Sequence, residues 1–227
     1  MSTAEQYKKF REEVDEVCRN CGRDPRDVMV VAVSKTVDTN AVLEASQAGA
    51  YDFGENRPDG LLEKYDALPQ ARWHFIGNIQ SRRIPDIVPR SFLIHSVYKV
   101  DHLAKIDAAA KAAGKIQNIL LEINSGEEAK DGVAPDMSFG VLAAARRLPN
   151  IRICGLMTMA PQGDLEVARS CFAQLRELRD EIQAMGLVDD IYFNELSMGM
   201  TEDWREAIEE GATIIRVGRA VFSSDFA

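Results

Sequence analysis

The strongest constraint on the fold is one pattern that recurs along the chain: a short apolar run, a polar or glycine-containing turn, then an amphipathic stretch. The apolar runs are Val28–Val33, Tyr51–Phe53, Trp73–Ile76, Phe92–Ile94, Ile119–Ile123, Ile151–Leu156, Ile191–Phe193 and Thr213–Val217. Helical spacing lies between most of them, notably at Val42–Ala48, Val100–Ala113, Phe139–Leu148, Glu166–Met185 and Thr201–Glu210. Strands that alternate with helices pair in parallel through right-handed crossovers. About eight such units favour a closed (β/α)8 TIM barrel over an open sheet. A doubly wound sheet stays compatible, because the Tyr51 and Ile191 runs are short and weakly marked. Ahead of the first run, Tyr7, Phe10, Val14 and Val17 recur at helical spacing between Thr3 and about Cys21. Asp24-Pro25 ends that pattern, so the expected architecture is a barrel with an extra N-terminal helix. The 227 residues suit one barrel, and no Pro/Ser/Gly-rich linker interrupts them, so 1–227 reads as a single domain.

Composition narrows the function classes. The net charge of −9 argues against a nucleic-acid surface, which needs clustered Lys and Arg. The basic pairs Arg82–Arg83 and Arg146–Arg147 read as solvated helix charges. No stretch reaches the roughly 18 apolar residues that span a bilayer, and Met1 to Phe10 lacks the apolar region of a signal peptide. The expected location is the cytoplasm, with no membrane partner. Cys18 and Cys21 have CxxC-like spacing, but there is no second pair and no nearby histidine, so they read as ordinary thiols. Cys154 and Cys171 read as small core residues.

In a β/α barrel the chemistry gathers just past the C-terminal ends of the strands. Here those positions hold Ser34-Lys35-Thr36, Gly54-Glu55-Asn56-Arg57, Gly77-Asn78-Ile79-Gln80, His95-Ser96, Asn124-Ser125-Gly126, Met157-Thr158-Met159, Ser197-Met198-Gly199-Met200 and Arg216-Val217-Gly218. Each alone is weak, since loops are polar everywhere; together they converge on one rim. Lys35 ends an apolar run, where desolvation would lower its pKa and leave more nucleophilic free base for a Schiff base with a carbonyl compound. Taken alone, the plainer reading is a lysine that snorkels from a strand end into water. The seventh and eighth loops shift that balance. They offer hydroxyls, backbone N–H groups and glycine, in the place where barrels bind phosphate. Arg216 adds a fixed charge able to face a phosphate or a heteroaromatic nitrogen.

Weaker signals stay open. His74, between Trp73 and Phe75, is equally a core histidine or a ligand contact. His95 reads as structural at the rim and His102 as a helix-surface residue. Three histidines without clustered spacing argue against a metal site, and no GxSxG, P-loop or GxGxxG motif occurs.

The set Val31-Ala-Val-Ser-Lys35-Thr, Phe53-Gly-Glu-Asn56, Trp73-His-Phe-Ile-Gly77-Asn-Ile-Gln80, His95-Ser-Val, Gly155-Leu-Met-Thr158-Met, Leu196-Ser-Met-Gly-Met200 and Ile215-Arg-Val-Gly218 resembles the pyridoxal phosphate homeostasis protein family. The motifs run in order from Val31 to Phe222. The resemblance implies a barrel like the alanine racemase N-terminal domain, with pyridoxal phosphate linked to Lys35. It places Asn56 near the ring, Ser197 and the Gly218 backbone on the phosphate, and Arg216 near the ring nitrogen or the phosphate. His74, Met198 and Thr201 complete the expected cofactor contacts. Departures from the usual family pattern fall at Pro58-Asp59-Gly60, at Ser81-Arg82-Arg83, at Tyr98 and at Thr201, away from the lysine.

A racemase would need a second base on the opposite face of the substrate carbon and a closed site. Only Ser223–Ala227 is expected beyond the last strand, so the material for a closing second domain is missing from the pattern. The expected function is therefore a non-catalytic carrier that buffers pyridoxal phosphate and supplies it to apoenzymes, acting as a monomer with no catalytic residue assigned. An amino-acid racemase of the alanine racemase type is the alternative.

Overall fold

In the computed structural model, which describes residues 1–126 and 131–223, eight parallel strands close on themselves in chain order. They are β1 (Met29–Val33), β2 (Asp52–Glu55), β3 (Arg72–Phe75), β4 (Leu93–Val97), β5 (Gln117–Glu122), β6 (Ile151–Met157), β7 (Glu195–Ser197) and β8 (Ile214–Val217). The first and last strands decide between barrel and open sheet. β1 pairs with β8 from Met29↔Ile214 to Ala32↔Val217, which closes the ring.

The helices are α1 (Thr3–Asn20), α2 (Thr39–Gln47), α3 (Pro58–Ala67), α4 (Ile84–Ile87), α5 (Val100–Ala112), α6 (Ser138–Ala145), α7 (Leu165–Ala184), α8 (Trp204–Glu209) and α9 (Arg219–Phe222). The helix expected ahead of the barrel is α1, started by a reciprocal cap. Ser2 Oγ accepts from the Glu5 amide at 3.2 Å, and Glu5 Oε2 accepts from the Ser2 amide at 2.8 Å. Its Phe10 packs edge-on against Trp204, with centroids 5.1 Å apart, which docks α1 onto α8.

The seventh strand is a correction. Ile191–Phe193 is a turn, and the strand begins two residues beyond it, at Glu195. Asp189 holds the turn: its Oδ1 accepts from the Ile191 amide at 3.1 Å and its carbonyl from the Tyr192 and Phe193 amides, each at 3.0 Å. Ile191 is left 79% exposed, so its apolar character marks no buried strand. The spacing also passes over α3, which Pro58 opens at a position where a missing N–H costs nothing.

Alternation along the strands builds two cores. Val31, Val33, Leu93, Leu120, Met157 and Ile214 face inward and fill the barrel. Ala32, Phe53, Trp73, Ile94, Leu121, Leu196 and Ile215 face outward into the larger core under the helices. The inward positions are not all apolar. Asp52, His74, His95, Ser197 and Arg216 are buried there too, and that departure leads to the functional site.

Candidate functional site

The segments after β1, β2, β3, β6, β7 and β8 surround a cleft of about 660 Å³ at the C-terminal mouth. Five of the eight expected contacts line it: Lys35, Asn56, Thr201, Arg216 and Gly218. Its apolar wall is Val33, Ile76, Met157 and Met159, residues the sequence reading left as packing or did not assign. Lys35 is exposed to the cleft, which corrects the expected desolvation. The reason is local: Val33 and Ser34 are the buried residues at the end of β1, and Lys35 begins the turn above them.

The other three expected contacts lie beneath the cleft. His74, Ser197 and Met198 are fully buried and do not line it. Met198 faces outward and packs in the helix-covered core, because Ser197 takes the inward position of β7. The Ser197 hydroxyl is already engaged, 2.6 Å from Arg216 Nη1 and 2.8 Å from His95 Nδ1. His74 is held between Asp52 Oδ1 and His95 Nε2, each at 2.9 Å. His95 is thus an interior residue rather than a rim residue, and His102 is buried on the inner face of α5 rather than exposed on its surface.

Behind Lys35 stands a buried ion pair that the sequence reading did not identify. Lys64 of α3 donates to Glu55 Oε1 at 2.5 Å and to the Ser34 carbonyl at 2.6 Å, and Ser34 Oγ donates to the same carboxylate at 2.8 Å. The peptide that carries Lys35 is therefore clamped from below by α3. The second and third loops also meet closely. A Cβ at Gly77 would lie 1.9 Å from the Asn56 carbonyl, so only glycine fits there. Gly77→Ala should force these loops apart at a cost of about 1–3 kcal/mol, read as a lower denaturation midpoint. Arg83 bridges Asp59 and Asp86, both at 2.6 Å, so it is a link between α3 and α4 rather than a solvated charge.

Arg216 enters at the base of the cleft. Its Nη1 donates to Ser197 and its Nη2 to the Thr158 carbonyl at 3.0 Å. Burial pulls its pKa down to about 10, against the upward pull of Glu122 and Asp203, so it stays cationic at neutral pH. Glu122, on the same inward-facing side of β5 as Leu120, is pushed up to about 7 by burial, with Arg216 pulling the other way. A carboxyl raised in the fold stabilises it most below its unfolded pKa, and that stability is lost as pH rises through the folded value. Up to about 3 kcal/mol should therefore disappear between roughly pH 4.5 and 7, and Glu122→Gln should flatten that part of the stability profile.

None of the four cysteines forms a disulfide among the described residues, Cys18 being buried and Cys21 exposed. Cys154 and Cys171 are partly buried, short of the core positions expected for them. No helix among the described residues is long and apolar enough to cross a membrane.

Residues 6–225 match the family model for the alanine racemase N-terminal domain. The pyridoxal phosphate homeostasis protein of Pseudomonas aeruginosa is 38% identical over 229 residues, which cover 99% of this chain and 96% of its own. The chain belongs to the pyridoxal phosphate homeostasis protein family. A solved relative, PipY of Synechococcus elongatus PCC7942 with PLP bound, is 32% identical with a TM-score of 0.84 over 98% of this chain and all (100%) of that one. Alanine racemase of Clostridium difficile 630 superposes with a TM-score of 0.72 at 14% identity, a likeness of fold alone; 93% of this chain covers 55% of the racemase. Family membership fits the barrel topology and the cleft at its mouth.

Proposed function

We propose that this protein binds pyridoxal phosphate at the barrel mouth as a Schiff base on Lys35, and that it buffers and supplies this cofactor without a reaction of its own. The observation that carries the reading is the near full-length match to pyridoxal phosphate homeostasis proteins, in a chain whose barrel brings Lys35, Asn56, Thr201, Arg216 and Gly218 to one cleft. The donor set fits a flat, anionic aldehyde. It combines one primary amine, one buried guanidinium, an amide and a hydroxyl, with aliphatic and thioether walls to flank a ring. When bound, pyridoxal phosphate supplies an aldehyde carbon open to amine attack and a phosphate that seeks donors. Lys35 provides the amine from an exposed turn. Arg216 gives fixed positive charge to the ring nitrogen or the phosphate. Thr201 and the Gly218 backbone close the phosphate side, and Asn56 flanks the ring.

The carrier reading is favoured over a racemase by the extent of the relatives. The Pseudomonas protein is matched over 96% of its own length, whereas the barrel is 55% of the Clostridium racemase. PipY, matched over all (100%) of its chain, is a structure with PLP bound. The partners on this reading are apoenzymes that accept pyridoxal phosphate, the compartment is the cytoplasm, and cysteines without disulfides suit it. The working unit is a monomer. Three of its exposed apolar residues, Val100, Met137 and Ile191, lie on different segments of the chain.

The test loads the protein with pyridoxal phosphate, removes the excess and challenges it with a panel of amino acids. Stoichiometric cofactor and no turnover are expected. Multiple turnovers with any one amino acid would overturn the non-catalytic reading.

A further inference from the structure

Beneath the cleft, a single file of hydrogen bonds crosses the inside of the barrel. At the floor Arg72 Nη2 donates to Asp52 Oδ2 at 2.6 Å, and Asp52 Oδ1 meets His74 Nε2 at 2.9 Å. His74 Nδ1 lies 2.9 Å from His95 Nε2, and His95 Nδ1 lies 2.8 Å from Ser197 Oγ. Ser197 accepts from Arg216 at 2.6 Å, and Arg216 reaches the Thr158 carbonyl. The file draws on β2, β3, β4, β7 and β8, and every link between Asp52 and Arg216 is buried.

We propose that Asp52, His74, His95 and Ser197 form a positioning relay that locks both imidazoles in one tautomer and so fixes how Arg216 faces the cleft.

The direction follows from what each group can do. A carboxylate only accepts, so His74 Nε2 carries the proton toward Asp52. A neutral His74 then accepts at Nδ1, which requires the proton of His95 on Nε2. His95 Nδ1 in turn accepts, so the Ser197 hydroxyl donates to it and offers its lone pairs to Arg216. Guanidinium only donates, which closes the file without conflict. The neutral state suits the surroundings. His95 is driven well below its ordinary pKa by burial, by His74 and by Arg216. The charged groups that face the file are Arg72 at the floor and, around Arg216, Glu122 and Asp203. With Nη1 and Nη2 each committed to a protein acceptor, the guanidinium cannot turn, and its remaining N–H groups point where the relay sets them.

The relay rests on the cofactor reading only for the identity of the ligand, and its first test uses the protein alone. The chain has three histidines, so ¹⁵N-histidine spectra can be assigned by single replacements. At about pH 8, His74 and His95 should each carry a single proton, on Nε2. An imidazolium at either ring, or a proton on Nδ1 of either, overturns the proposal. The second test inverts the file. In Asp52→Asn the amide oxygen turns to Arg72, which can only donate, and the NH₂ turns to His74. Both tautomers should then reverse, Ser197 Oγ must accept from His95 and Arg216 together with its own proton left unpaired beside Arg216, and affinity for pyridoxal phosphate should weaken about tenfold, the scale of one unsatisfied buried donor. Adding Arg72→Leu frees the amide to face its oxygen toward His74, and both tautomers and affinity should return. Unchanged affinity in Asp52→Asn, or no rescue in the double variant, contradicts the relay. A wild-type protein that takes up no pyridoxal phosphate would remove the cofactor reading while the tautomer spectra still decide the relay.

Discussion

Lys35→Ala, incubated with pyridoxal phosphate and desalted, emerges without the visible imine band that the wild-type protein keeps. Lys35 is the one lysine that lines the cleft among the described residues, so no neighbouring amine can take its place there. Lys35→Arg should fail as well, because a guanidinium keeps the charge but stays protonated and is no nucleophile. The pair of variants therefore separates attraction of the phosphate from formation of the bond. Neither should disturb the fold: Lys35 is exposed on a turn, and such substitutions usually move stability by no more than about 0.5 kcal/mol. An imine band of wild-type intensity in Lys35→Ala would show that another lysine carries the cofactor.

The second large effect is on stability. Lys64→Met removes the cation from a pair in which Lys64 is 5% and Glu55 2% exposed, and leaves the carboxylate with Ser34 Oγ as its remaining side-chain donor. Stranding one partner of a buried pair costs about 3–5 kcal/mol, read as a fall in the denaturant midpoint. Glu55→Leu with Lys64→Met should recover most of that loss, since neither charge is then buried alone. The single variant should also weaken cofactor retention, because Lys64 holds the Ser34 carbonyl and with it the peptide that presents Lys35. A midpoint equal to wild type would mean that the clamp contributes nothing to the fold.

Much of the barrel was legible because strands and helices carry different periods, and seven of the eight runs overlap the strands they announce. The failure at β7 has a physical origin. Three consecutive residues show no alternation, and Ile191 and Tyr192 are exposed in a turn that Asp189 organises through its own polar atoms. The rim was legible for the same reason the barrel was: strand ends locate the mouth. What strand ends do not reveal is depth. Ser197 lies four residues before Thr201 and His74 three before Gly77 in sequence, yet each takes an inward position one layer below the cleft. Inside a closed ring a polar side chain can find its partner across the barrel, so its role depends on pairs such as His95 and Ser197, 102 residues apart. The Lys64 clamp escaped notice because the spacing did not mark α3 as a helix. A lysine nine residues after Glu55 carries no signal until the helix folds back over β2.

The central claim is tested most directly by borohydride reduction of the pyridoxal phosphate-loaded wild-type protein, followed by peptide mapping. A single equivalent of reduced cofactor on the peptide that contains Lys35 is the predicted result. Label spread over other lysines, or none at Lys35, would contradict the assignment of the barrel mouth as the cofactor site.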